Sequence, residues 1–242
     1  MGVGYGAVRR PEPRIATQIE VALGDATSVI NVGAGTGSYE PSGRDVTAVE
    51  PSQTMIEQRP PGSAPVVQGV AEALPFEDDS FDAAMAIITV HHWTDVRAGL
   101  EEMARVARQR VVVLTFDPMA IEDLWIVRDY FPRAFEYHVE VMPPVDTVVS
   151  VLPGAEVEVV PTPNGCADGF FIALWDRPEL HLDPSIRRAS SSLHRMPQDE
   201  IDEGVEKLRA DLASGHWDKR NGHLRAKPEL DIGLRLVTAE LP

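Results

Sequence analysis

Apolar residues in this chain gather into short unbroken runs instead of alternating with polar ones. TSVINVG, DVTAVE, APVVQGV, FDAAMAIIT and RVVVLTF are apolar nearly throughout, the pattern of strands buried on both faces of a parallel sheet. Helical periodicity separates them. PRIATQIEVAL precedes the first run, SQTMIEQR follows the second with Ser52 as its N-cap, and TDVRAGLEEMARVA follows the fourth with Thr94 or Asp95 as cap. Strands alternating with helices predict an α/β fold with a doubly wound sheet, whose ligand crevice lies beyond the carboxyl ends of the strands. Gly33, Glu50, Ala71 and His91 all fall just past strand ends. After Pro118 the pattern changes: IEDLWIVRDYFPRAFE is aromatic-rich and helical, EVEVVPTP is strand-like, SLHRMPQDEIDEGVEKLRADLAS is charged and amphipathic up to Gly215, and LDIGLRLVTAEL reads as a last strand.

The first run feeds a glycine turn, VINVGAGTG, with Gly33, Gly35 and Gly37 at alternate positions around Ala34. Glycine allows positive φ and removes the Cβ that would block a ligand from the backbone. Glu50 closes the second run about 20 residues on, where an acid can accept both hydroxyls of a ribose. A dinucleotide fingerprint would place its third glycine at Ser38; here it comes one position earlier. Pro41 and Gly43 also interrupt any phosphate-cradling helix after the loop. A ribose clamp without a diphosphate seat fits a nucleoside better than NAD.

VINVGAGTG, then AVEPSQTMIEQR, then GVAEALPFEDDSFDAAMAIITVHHWTD together resemble a class I S-adenosylmethionine-dependent methyltransferase. The resemblance is to the small-molecule branch that includes the ubiquinone and menaquinone biosynthesis enzymes. It implies a Rossmann-like, seven-stranded sheet, mostly parallel with an antiparallel last strand. Residues 1–242 then form a single domain with its motifs in 1–118, and residues 119–150 and 164–228 are helical cap insertions. S-adenosylmethionine is the implied cofactor. Glu50 would hold its ribose, and Pro51, Ser52 and Met55 would shape the adenine slot. Ala71 would donate its amide to the ring, and Glu72 or a carbonyl would take the amino group that an Asp usually binds where this chain has Val70. Ala86 and Ile87 would offer carbonyls to the methionyl amino group, and Arg10 would face the carboxylate. Asn31 stands beneath the loop where the family usually has an acid. Tyr5, in a polar glycine-rich N-terminus, is a further candidate to close over the ligand.

Methyl transfer from a sulfonium needs no metal and no covalent enzyme intermediate; it needs positioning and removal of the acceptor's proton. His91 and His92, on the rim after the fourth strand, are the candidate bases because imidazole titrates near neutrality. Asp117 is a second-rank partner. Trp125, Tyr130 and Phe131 could form an apolar lid over the acceptor, although an aromatic stripe at helical spacing is more often core. The expected reaction is methyl transfer to oxygen or carbon of a small organic metabolite, the competing reading being a silent S-adenosylmethionine-binding or interaction protein on the same fold.

Charge narrows the partner. A net charge of −16 repels polyanions and argues against nucleic acid, and the strand ending ITVHHW lacks the Asn/Asp-Pro-Pro-aromatic motif of nucleobase amino-methyltransferases. No apolar run is long enough to span a bilayer and the N-terminus has no apolar targeting core, so the expected location is cytoplasmic, without membrane attachment. Cys166, the single cysteine, rules out an internal disulfide and a cysteine metal cluster, and is expected to be a packed residue. Oligomeric state has no signature here.

Overall fold

The computed structural model describes residues 10–188 and 190–242. In chain order its regular elements are α1 (Pro13–Ala22), β1 (Ser28–Val32), β2 (Asp45–Glu50), α2 (Gln53–Glu57), β3 (Val66–Gln68), β4 (Phe81–Ile87), α3 (Val96–Val106), β5 (Ala107–Phe116), α4 (Trp125–Tyr130), α5 (Pro132–Val141), α6 (Val145–Val151), β6 (Glu156–Val159), β7 (Thr162–Pro163), α7 (Pro184–Arg188), α8 (Ser191–His194), α9 (Gln198–Ala213), α10 (His216–Asn221), β8 (Glu229–Leu230) and β9 (Leu234–Glu240). Short 3₁₀ turns join several of them.

They form two compact units. The first holds Pro13–Asp117, Met142–Val160 and Leu234–Pro242; the second holds residues 10–12, Pro118–Val141 and Pro161–Gly233. In the first, a seven-stranded sheet runs in the order β3-β2-β1-β4-β5-β9-β6, with β9 antiparallel to both its neighbours and the remaining pairs parallel. This is the expected doubly wound α/β sheet. The central strands are buried along almost their whole length, which is why their sequences are apolar without alternation. One face gathers Ile30 and Val32, Ala84 and Ala86, Val111 and Val113, Val237 and Ala239, at two-residue spacing along four strands. Leu100, Met103 and Val106 of α3 and Val148 of α6 close this layer. Helix α1 packs against β5 and buries Ile15 and Ile19, one turn apart.

Three local expectations are corrected. The two late strand candidates each split: Glu156–Val159 and Leu234–Glu240 enter the sheet, whereas Thr162–Pro163 and Glu229–Leu230 pair with each other as a separate ribbon. Pro161 and Gly233, the latter at φ 90°, stand at the two breaks. The aromatic helical stretch is two helices, because Pro132 disfavours helical backbone at Phe131. The expected insertion 119–150 divides at Val141, since α6 packs on α3 in the sheet unit.

In the second unit, helices and 3₁₀ turns surround a core of Trp125, Trp175, Trp217, Phe131 and His181. Trp125 meets His181, Trp217 and Tyr130 edge to face, and its indole N–H donates to the Trp175 carbonyl at 2.8 Å. Burial lowers the imidazole of His181 to about 3 and that of His138 to about 4. Among the described residues no helix is long and apolar enough to cross a membrane.

Candidate active site

The site is built where β1, β2 and β4 end side by side. Parallel register sets Val32 opposite Val49 and Asn31 opposite Met85, so the residues that follow share one rim. The Gly33 and Ala34 amides both donate to the Val49 carbonyl, at 2.8 and 3.0 Å, which folds the glycine loop over the end of β2. Gly33, Gly35 and Gly37 have φ of 71°, 53° and 91°, in the left-handed region glycine tolerates. Their surroundings differ. A Cβ on Gly33 would lie 2.3 Å from Thr89 Oγ1, and one on Gly37 3.1 Å from Glu40 Oε2, so both glycines make room for protein. A Cβ on Gly35 meets nothing nearer than Met55 Cε at 3.4 Å. Of the three, Gly35 alone keeps an open face for a ligand.

Glu50 is buried, with its carboxylate held by two backbone amides: Gly35 N donates to Oε2 at 2.7 Å and Ser52 N to Oε1 at 2.9 Å. Ser52 caps α2, its hydroxyl accepting from Met55 N at 3.4 Å. Beneath the loop, Asn31 is buried and donates from Nδ2 to Glu40 Oε1 at 3.3 Å, and Glu40 is paired with Arg59.

The β4 rim carries the histidines. Ile88, directly after β4, has φ 51°, an uncommon conformation for a β-branched residue, and its amide donates to Leu114 O at 2.7 Å. The 3₁₀ turn Val90–His92 follows, with His92 N donating to Thr89 O at 2.8 Å. The two imidazoles lie 3.9 Å apart, centroid to centroid. His92 is exposed, yet the atoms packed around its ring lower its pKa below the usual imidazole value, while the Glu50 carboxylate acts in the opposite direction.

Fold and rim together identify a family, and comparison with known proteins settles it. Residues 30–115 match the methyltransferase domain family. A solved structure of a proposed methyltransferase from an antibiotic biosynthesis pathway of Anabaena variabilis is 32% identical, over 97% of this chain and 99% of its own, with a TM-score of 0.89. The chain belongs to the class I S-adenosylmethionine-dependent methyltransferases. A demethylmenaquinone methyltransferase of Paenarthrobacter aurescens is 29% identical to this methyltransferase over 88% of the chain and 87% of its own length. An uncharacterized methyltransferase of Bacillus subtilis, YcgJ, is 34% identical, but the match spans 39% of this chain and 42% of that one.

The residues present fit the cofactor. Each oxygen of Glu50 accepts one backbone N–H and has lone pairs left for a ribose diol, and the Cα face of Gly35 meets no protein atom nearer than Met55 Cε at 3.4 Å. Asn31, Gly33, Ala34, Gly35 and Gly37 come from β1 and the loop after it, and Glu50, Pro51, Ser52 and Met55 from the end of β2 and the start of α2; the bonds from Gly33 N and Ala34 N to Val49 O and from Gly35 N to Glu50 hold the two segments together. Ala71 is buried and Val70 half-exposed beside the end of β3, while Ala86 is buried and Ile87 partly so at the end of β4.

Other candidates are placed differently. Glu72 is occupied at the start of α3, where its Oε1 accepts from Thr94 N, Thr94 Oγ1 and Asp95 N. Burial opposes its ionisation, but these bonds together hold its pKa below the usual carboxylate value. The cap of α3 itself is Asp95, which accepts from Ala98 N at 3.0 Å. Trp125, Tyr130 and Phe131 are corrected from lid to core. All three are buried in the helical unit, Tyr130 donates its hydroxyl to Asp211 at 2.7 Å, and Phe131 packs edge to face on Phe171. Arg10 is exposed and belongs to that unit; Tyr5 lies outside the described residues. Asp117 pairs with Arg235 at 3.5 Å. Cys166 is buried, and its thiol is pushed up to about 12 by that burial, so it stays protonated and packed. Among the described residues no group of three or more His, Cys, Asp or Glu is placed to hold a metal ion.

Sequence reasoning missed Glu40, Arg59, Ile88 and Thr89. Only contacts between segments reveal them: Glu40 sits in an irregular loop, Arg59 lies just beyond the short helix α2, and the Ile88 backbone angle has no marker in an apolar run.

Proposed function

We propose that this methyltransferase transfers the methyl group of S-adenosylmethionine to an oxygen or carbon atom of a small organic metabolite, with His91 or His92 accepting the proton that the acceptor loses. The observation that carries this reading is the close histidine pair on the rim, its rings 3.9 Å apart and tilted by 46°, one member of which has its pKa lowered by the atoms packed around it. The cofactor supplies a methyl group on a positively charged sulfur that leaves as a neutral thioether.

Glu50 takes the two ribose hydroxyls while keeping its bonds to Gly35 N and Ser52 N. Gly35 meets the cofactor with its open face, Gly33, Ala34 and Gly37 shape the loop that presents it, and Asn31 lies below them. Pro51, Ser52 and Met55 bound the adenine, and Ala71 meets its edge. The carbonyls of Ala86 and Ile87 face the amino group of the methionyl end. The acceptor's O–H or acidic C–H gives its proton to a ring nitrogen of the base; in His91 that atom is Nε2, because Nδ1 is buried. A depressed pKa keeps His92 neutral, and so able to accept a proton, at pH values where an ordinary imidazole would already be charged. The demethylmenaquinone relative supports a quinol-like or other enolic acceptor as the first class to try.

The test is a panel of phenols, quinols and enols read out as release of S-adenosylhomocysteine. With an acceptor in hand, His91→Ala or His92→Ala should lower turnover by about 10²–10⁴-fold while cofactor affinity holds. If His92 is the base, the acidic limb of the wild-type rate profile should fall below the ordinary histidine pKa of about 6.5. Two full-rate alanine variants would remove both histidines from the mechanism.

A further inference from the structure

Behind the glycine loop lies a buried ion pair. Arg59, just beyond α2, places NH2 2.6 Å from Glu40 Oε1, and the two side chains are 5% and 11% exposed. The same guanidinium donates to Gly35 O at 3.2 Å and to Ala64 O at 3.1 Å. Glu40 in turn accepts from Asn31 Nδ2 at 3.3 Å and from Ala64 N at 3.3 Å. A Cβ on Gly37 would come 3.1 Å from Glu40 and 3.2 Å from Arg59, so the third glycine of the motif makes space for this pair. The bonds tie the end of β1, the loop and the segment after α2 into one unit.

We propose that the Glu40–Arg59 pair is a positioning device for S-adenosylmethionine, fixing the Gly35 carbonyl from behind so that the Gly35 amide keeps its bond to Glu50. A planar guanidinium can satisfy a carboxylate and two carbonyls at once, which a lysine ammonium on a flexible stem cannot do with the same geometry. The arrangement also accounts for Asn31. An acid at that position would bring a second carboxylate to within about the 3.3 Å that now separates the Asn31 amide from Glu40. The amide at 31 and the acid at 40 are therefore a matched set: Asn31 Nδ2 donates where a carboxylate would repel Glu40.

A merely structural pair and a positioning pair are separable. Removing one partner leaves a buried charge and destabilises the fold, whereas replacing both with apolar residues of similar volume is often neutral. Glu40→Leu/Arg59→Met should therefore recover most of the thermal stability that Arg59→Met loses. Its affinity for S-adenosylhomocysteine, measured by calorimetry, should stay about tenfold or more below wild type, because the Gly35 carbonyl and the Asn31 amide have lost their partners. Affinity returning together with Tm would overturn the proposal. If the double variant does not fold, Arg59→Lys decides. It keeps the charge opposite Glu40, and about tenfold weaker binding is expected; affinity within about twofold of wild type, too little for one hydrogen bond to a charged group, would refute it. The measurement needs no methyl acceptor, so its outcome is independent of the acceptor class proposed above.

Discussion

The two units of this chain are held together by different means. The sheet unit is built from aliphatic strands and backbone pairing, with its polar groups gathered at strand ends: Glu50 on two amides, and Asp82 accepting from Thr27, Ser28 and Arg108. The helical unit is built of helices and 3₁₀ turns with Trp125, Trp175 and Trp217 packed among them. Its elements are joined by side chains distant in sequence, such as the bond from Trp125 to the Trp175 carbonyl. Repeated local pattern specifies the first unit. In the second, a few large side chains each secure several segments, so single substitutions should have unequal consequences in the two regions.

The largest effect expected on stability is therefore in the helical unit. Trp125→Ala removes a buried indole with three aromatic neighbours and should cost about 3–5 kcal/mol, measured by denaturant unfolding. A loss below about 1 kcal/mol would mean that the aromatic centre is not what holds this unit.

Acid should sharpen the same contrast. His181 and His138 are held neutral at about 3 and about 4, against 6.5 when unfolded. Between those values the unfolded chain binds more protons than the folded one. Stability contributed by these histidines is thus complete above about pH 6.5 and falls as pH drops below it, by up to about 1.4 kcal/mol per unit for each. In the sheet unit, Asp82 is held well below its usual range, chiefly by Arg108 and Thr27, and its contribution is lost only under stronger acid, below 3.8. Three of the four tryptophans belong to the helical unit. Their fluorescence should report unfolding at a higher pH than the loss of sheet circular dichroism; coincident transitions would erase the distinction.

Within the sheet unit, substitutions on the rim are expected to act on binding more than on the fold. Glu50→Ala should weaken S-adenosylmethionine binding by about 1.5–3 kcal/mol by calorimetry, the range for hydrogen bonds to a charged group, and an unchanged affinity would refute its proposed ribose role. The smallest effect is expected at a helix end. Asp95→Ala removes the cap of α3 and should lower stability by about 1 kcal/mol without altering cofactor affinity.

The same division governs what could be read from residue order. The buried strands, the Ser52 cap, the glycine loop and the position of Glu50 were legible because each depends on a few neighbouring residues. The strand splits at Pro161 and Gly233 were not, since local pattern cannot show that Thr162–Pro163 pairs with Glu229–Leu230. Trp125 and Phe131 had the spacing of either a lid or a core, and only the packing around them decided for core. Glu40 and Arg59 carry no periodic signal at all; their meaning arises when Gly35, Asn31 and Ala64 come between them.

The place of β9 between β5 and β6 has a consequence for folding. Strand β5 is formed early in the chain and is paired on one side by β4, but its other edge is covered only by residues 234–240. Until those arrive, the run VVVLTF presents an unprotected hydrophobic edge, a ready template for association with another chain. The stretch most recognisable by family, residues 30–115, is thus not a separable piece. Expressed without the C-terminal strand, it should aggregate, however complete its motifs.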